Sequence, residues 1–176
     1  MHLNPYGQDA VLFAVDLLEH PPSTPPELAR RCRDVGVVVE APATPQDVTR
    51  TRTFLARWLE VVDAADDVER AGRLNVLLAR YSAHPRVTDH TGEGWHLHFR
   101  NDGLHLGDLI AALVSVGTAL HLTGRGMHRL GRCDVPECRR VFADVSRTGR
   151  RRYCSVACAN RDAVRRHRAR TTAARP

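Results

Sequence analysis

Four cysteines in the last quarter of the chain constrain it more than any other feature. Cys133 pairs with Cys138 and Cys154 with Cys158, a spacing of C-x4-C, fifteen residues, then C-x3-C. Each close pair makes a short knuckle that turns two thiolates toward one point. Two knuckles at this separation suit a single tetrahedral ion. Two disulfides, or four unrelated buried thiols, are the alternatives. The start of the chain carries Asp9, Asp16 and Glu19 without a basic leader and does not read as a secretory signal, so no oxidising compartment is indicated. The expectation is one structural zinc ion per chain, held by Cys133, Cys138, Cys154 and Cys158. Four thiolates close the coordination sphere and leave no open position for water or substrate, which argues against a catalytic ion.

The residues between the pairs fit a small zinc-organised unit. Residues 141–145 read as a short strand, 146–149 as a turn and 150–153 as the returning strand. Ser155 fits an N-cap, and Cys158 falls three residues later, in the first turn of a helix. Thiolates placed there gain from the helix dipole. Knuckle, hairpin and helix make a treble-clef-like arrangement. Its own core would be little more than Val141, Phe142, Val145, Tyr153, Val156 and Val164, so metal binding should supply much of its folding energy.

Charge separates this unit from the rest. The chain has no lysine, so every basic side chain except histidine is arginine. From residue 129 onward fourteen arginines face only Asp134, Glu137, Asp144 and Asp162, a net +10. The preceding residues carry twelve arginines against sixteen acids, a net −4. A basic module on a mildly acidic body points to a polyanion partner for the module. Arg147, Arg150, Arg151 and Arg152 crowd the expected hairpin. Arg161, Arg165, Arg166, Arg168 and Arg170 crowd the helix, and 161, 165 and 168 share one face. Arginine suits bidentate contact with phosphate and with guanine edges. A solvated charged surface, or an acidic protein partner, is the plainer reading. Arg132, Arg139, Arg152 and Arg161 could also serve to offset the −2 charge of a four-thiolate zinc centre.

The run FADVSRTGRRRYCSVACANR at 142–161 resembles the CGNR zinc finger. That family's pattern is a cysteine pair, an F-x-D-x-S-R hairpin, R-R-x-C-S and then Cys-Gly-Asn-Arg. Asp144, Ser146, Arg147, Arg151, Arg152, Asn160 and Arg161 fall in place. The final quartet reads Cys158-Ala159-Asn160-Arg161, with alanine, a better helix former, where the family has glycine. The candidate nucleic-acid contacts are thus Arg147, Arg150, Arg151, Arg152, Asn160, Arg161, Arg165, Arg166 and Arg168.

The N-terminal part reads as helical. Residues 10–18 show one apolar face. Thr24-Pro25 with Glu27, and Thr44-Pro45 with Asp47, are two helix starts of the same grammar. The helices they open reach about residues 34 and 64, and another spans 67–81. Residues 35–39 suit a short strand or a loop. Residues 84–91 and 95–100 read as a hairpin about Gly92-Glu93-Gly94, with His96 and His98 on one face and Trp95, Leu97 and Phe99 on the other. A long apolar helix follows at 105–122. Its apolar run from 109 to 122 is too short and interrupted to span a bilayer. Cys32 reads as a small buried hydrophobe.

Four stretches in order, GQDAVLFAVDLLEH, RLNVLLARY, WHLHFRNDG and RLGRC, resemble the ABATE domain, which precedes the CGNR finger in many bacterial proteins. The resemblance implies a stress-induced transcription regulator. The expected fold is α+β: a mostly helical N-terminal domain with a small β-hairpin at 1–125, then a treble-clef-like zinc finger at 129–171, then a disordered tail at 172–176. The expected protein is cytoplasmic, uses no membrane and binds DNA through the finger, with a small-molecule effector or a homodimer contact assigned to the N-terminal domain. A finger that docks another protein is the alternative. His84, His90, His96, His98 and His105 cluster about the hairpin, and His96 and His98 are a candidate ligand pair. An enzyme built on that cluster is the weakest reading, because no nucleophile elbow, phosphate loop or carboxylate pair stands in recognisable context.

Overall fold

A computed structural model describes residues 7–89 and 94–173. In chain order it holds helices α1 (Gln8–Glu19), α2 (Pro25–Asp34), α3 (Pro45–Val62) and α4 (Asp67–Tyr81), strands β1 (Arg86–Thr88) and β2 (His96–His98), and helix α5 (Leu106–Arg125). A 3-10 turn at Met127–Arg129 leads into strands β3 (Leu130–Arg132) and β4 (Val141–Ala143) and helix α6 (Val156–Ala173). Strands β1 and β2 pair antiparallel, as do β3 and β4.

The helix starts follow their caps. Thr24 accepts the Glu27 N–H at 3.4 Å ahead of Pro25. Thr44 and Asp47 form a reciprocal capping box: the hydroxyl accepts the Asp47 N–H at 3.3 Å, and the carboxylate accepts the Thr44 N–H at 2.8 Å.

Helix α5 is the centre of the body, with α1, α3 and α4 packed around it. Its Ile110, Val114 and Leu122 are buried with Trp58, Phe54, Leu17 and Leu28. Gly117 lets α1 close on α5, because a Cβ there would lie 2.4 Å from the Ala10 Cβ. Thr118 Oγ1 accepts the indole N–H of Trp58 at 2.9 Å and donates to the Val114 carbonyl at 2.6 Å, so the largest buried side chain keeps its polar atom satisfied. The helix runs 20 residues, longer than the apolar run in the sequence suggests, and by length and composition it could cross a membrane. Its most apolar window is 72% buried, as befits the core helix of the body. Cys32 is fully buried, and burial pushes its thiol up to about 12.

Other expectations need correction. Residues 35–39 take the loop alternative, with Val37 buried, and not the strand. The β1–β2 ribbon is shorter than the sequence suggests, and its apolar face, Val87, Trp95 and Leu97, is exposed. His90 and the turn residues Gly92 and Glu93 lie outside the described residues. Helix α6 continues through residues 172 and 173, which the sequence assigned to the tail. Residues 174–176 lie outside the described residues.

The largest correction concerns β4. It pairs backward with β3, Leu130 opposite Ala143 and Arg132 opposite Val141, and not forward with 150–153. The hairpin therefore embraces the first cysteine knuckle. Its inner residues, Leu130, Val141 and Ala143, belong to the same apolar cluster as α1, α3 and α5. Arg132 forks onto Asp63 at the end of α3, at 2.5 and 2.7 Å, and Arg140 reaches Glu19 of α1 at 3.3 Å. Helix α5 runs through Gly124 and Arg125 and breaks only at Gly126, and core packing continues across that break.

Candidate metal centre and arginine surface

The β3–β4 hairpin fixes the first knuckle. The Cys133 N–H donates to the Arg140 carbonyl at 2.8 Å, and the Cys138 N–H to the Val135 carbonyl at 2.9 Å. Arg139, the residue after the knuckle, takes the left-handed conformation at φ 51°, which lets the chain turn back into β4. The second pair sits at the start of α6. Ser155 Oγ accepts the Cys158 N–H at 3.2 Å, the cap expected from the sequence.

Together these supports bring the four Sγ atoms within 4.8 Å of one another. Cys138 and Cys154 are 3.5 Å apart, and Cys154 and Cys158 are 3.7 Å apart. A tetrahedron with zinc–sulfur bonds of about 2.3 Å has edges of about 3.8 Å. The cluster fits one structural zinc ion. Without it, burial pushes the Cys154 thiol up to about 12, helped by the hydrogen bonds it donates to its cysteine neighbours, while the Ser155 contact holds Cys158 below the usual thiol range. A dication would displace the thiol protons. The finger's own apolar cluster is Cys133, Val135 and Cys158, with Cys138, Tyr153 and Cys154 against it. Val156 and Val164, expected in that core, are exposed, and Val141 belongs to the body.

The link from β4 to α6 is held by a buried ion pair that no local pattern of residues foretells. Arg129 and Asp144 are 9% and 1% exposed, and their charged atoms lie 3.8 Å apart. The Arg129 guanidinium also donates to the carbonyls of Arg125 and Ser146. The Asp144 carboxylate accepts the N–H groups of Ser146 and Arg151, each at 2.9 Å. Burial works against its charge, but the hydrogen bonds from Ser146 and Arg151 and the Arg129 cation outweigh that and hold it below the usual carboxyl range. Gly149, at φ +67°, completes this turn, since a Cβ there would meet the Arg129 guanidinium at 2.6 Å.

The candidate nucleic-acid residues divide into two groups. Arg151 is committed to the finger: its guanidinium donates to the carbonyls of Ala143, Tyr153 and Cys154 and stacks 5.6 Å from the Phe142 ring centroid. Arg152 pairs with Asp134 at 2.6 Å. Buried Asp162 accepts the Tyr153 hydroxyl at 2.6 Å and pairs with Arg165 and Arg166. Arg161 also lies 3.6 Å from Glu137. Arg147, Arg150 and Arg168 are exposed, with no ion pair among the described residues. Ala157, Asn160, Arg161, Val164, Arg165 and Arg168 line one shallow open face of α6, a space of about 480 Å³. The exposed pair of Arg161 with Glu137 is worth little in water and yields readily to a stronger anion.

His96 and His98 lie together on the β1–β2 ribbon, remote in sequence from the cysteine cluster, with their Nε2 atoms 3.1 Å apart. Among the described residues the only group of three or more metal-ligating side chains drawn together is the four cysteines.

Two knuckles, a shared hairpin and a helix bearing the last ligand define the C-terminal unit as a four-cysteine zinc finger. Residues 129–171 match the CGNR zinc finger family. No curated protein matches the chain.

Proposed function

We propose that this chain is a bacterial transcription regulator, cytoplasmic and not catalytic, that binds DNA through α6 and the 147–152 loop. On this reading the finger is treble-clef-like, and the body is of the ABATE type and serves sensing or dimerisation. One observation carries the proposal: a helix along which no other described element packs closely presents Asn160, Arg161, Arg165 and Arg168 on a single open face. A positively charged helix face of this kind complements the phosphate backbone, and asparagine and arginine read adenine and guanine edges in the major groove. The closed coordination sphere of four thiolates supports a binding role over a catalytic one. A second reading, docking of another protein through an apolar contact, draws on the exposed Val156 and Val164 among these arginines.

Salt separates the two. Each neutralised phosphate releases counterions, so log affinity should fall with log salt at a slope near −0.9 per contact on duplex DNA. With about four to six contacts, raising salt from 50 to 200 mM should cost about two to three decades. Replacing Arg165 and Arg168 by alanine should reduce the slope by about two units and leave zinc bound. Fluorescence anisotropy of a labelled duplex measures both. Binding indifferent to salt and to these substitutions favours protein docking.

A further inference from the structure

The geometry points to a second metal site on the β1–β2 ribbon, in which the Nε2 atoms of His96 and His98 chelate one divalent transition-metal ion of the imidazole-binding class. It is separate from the thiolate centre and rests on different residues.

Alternation along β2 puts both rings on one face, opposite Thr88 and Arg86 of β1. The rings stand 4.8 Å apart at 63°, edge to face, and the two Nε2 atoms are 3.1 Å apart. Two imidazole nitrogens on one ion at about 2.0–2.1 Å, in adjacent octahedral or tetrahedral positions, lie about 2.8–3.4 Å apart. The pair therefore needs no large rearrangement to close on an ion. The ring of His96 is already oriented for it. Its Nδ1 lies 2.8 Å from the Gly94 carbonyl, which can only accept, so Nδ1 carries the proton and the Nε2 lone pair faces His98. A backbone carbonyl on the far nitrogen is the usual support of a ligating histidine.

The surroundings suit a cation. Arg86, across the ribbon from His98, is paired with Asp102, so its charge is offset. Both histidines are half-buried, which leaves room for water to complete the coordination sphere. Two imidazoles without thiolate favour Ni²⁺, Cu²⁺ or Zn²⁺ over Mg²⁺ or Ca²⁺.

The test uses the full chain, with its finger loaded with zinc, and Ni²⁺ as the probe. Calorimetry is expected to find one Ni²⁺ per chain. Trp95, the neighbouring residue and 78% exposed, should lose fluorescence along the same isotherm. Losing a partner outside the coordination sphere already weakens metal sites by 10–100-fold. His96→Ala and His98→Ala should therefore each weaken binding by about tenfold or more, and the double variant should abolish the Trp95 signal. Unchanged zinc content and circular dichroism establish that the variants are folded, and His98→Gln replaces His98→Ala if the latter unfolds. A chain that takes up no Ni²⁺, or single and double variants that bind as the parent does, overturns the proposal.

Discussion

Asp47 and Gly107, sixty residues apart in sequence, meet where α3 and α5 begin: the carboxylate accepts the Gly107 N–H at 2.9 Å. The other oxygen of the same carboxylate accepts the Thr44 N–H at 2.8 Å. One buried side chain thus caps two helices, and α5 needs it, because its own N-cap residue His105 supplies no side-chain cap. Asp47→Ala leaves donors at both starts without an acceptor and should cost about 2–4 kcal/mol, read by denaturant unfolding. Burial opposes the Asp47 charge, but the bonds from Gly107 and Thr44 prevail and hold its carboxyl below the ordinary value of 3.8. A depressed folded value contributes stability above the unfolded value, and that contribution is lost as pH falls through the folded one. The difference between parent and Asp47→Ala should be flat from about pH 5 to 8 and shrink below 3.8.

The Trp58–Thr118 bond makes a sharper test of the core. Thr118→Val preserves shape and removes the acceptor of a buried indole N–H. The expected loss is about 1–3 kcal/mol. Trp58→Phe in the same background should recover part of it, since no orphaned donor remains. A double-mutant cycle checks this.

Arg151 and Arg168 should separate cleanly. Arg151→Ala removes donors to three finger carbonyls, and zinc should then pass to a competing chelator more readily. Arg168→Ala should leave zinc retention unchanged and weaken duplex binding. Chelator competition beside anisotropy resolves the two, and equal effects on both readouts would show the division to be false.

A fragment of residues 1–125 should be less stable than one of residues 1–145, because only the longer one retains Leu130, Val141 and Ala143 in the core. Thermal unfolding by circular dichroism compares them. Equal midpoints would place the boundary back at the glycine bend.

The metal centre was legible because its ligands are close neighbours in the chain, so spacing alone reports geometry. Capping was legible for the same reason: Thr24, Thr44 and Ser155 act on residues three positions away. The partner of β4 was not. Residues on both sides of 141–143 can form a strand, and nothing local chooses between them; packing of Leu130 and Ala143 against the body does. Arg129 and Asp144 were opaque because isolated charged residues read as surface, and only the fold buries them together. The arginines of the loop and helix all looked alike in sequence, yet Arg151 faces inward onto carbonyls while Arg168 faces water.

The hairpin shared between finger and body also has a mechanical meaning. A finger on a loose tether would report nothing of the body's state. Here β3 is pinned to α3 through Arg132 and Asp63 and β4 to α1 through Arg140 and Glu19, and the 18 residues of α6 extend from that anchorage as a rod of about 27 Å. Tilting the anchorage by about 10° would swing the far end of the rod through about 5 Å, more than the rise of one base pair along a duplex. Modest adjustments among α1, α3 and α5 would thereby be multiplied at the arginine face, with the hairpin as fulcrum.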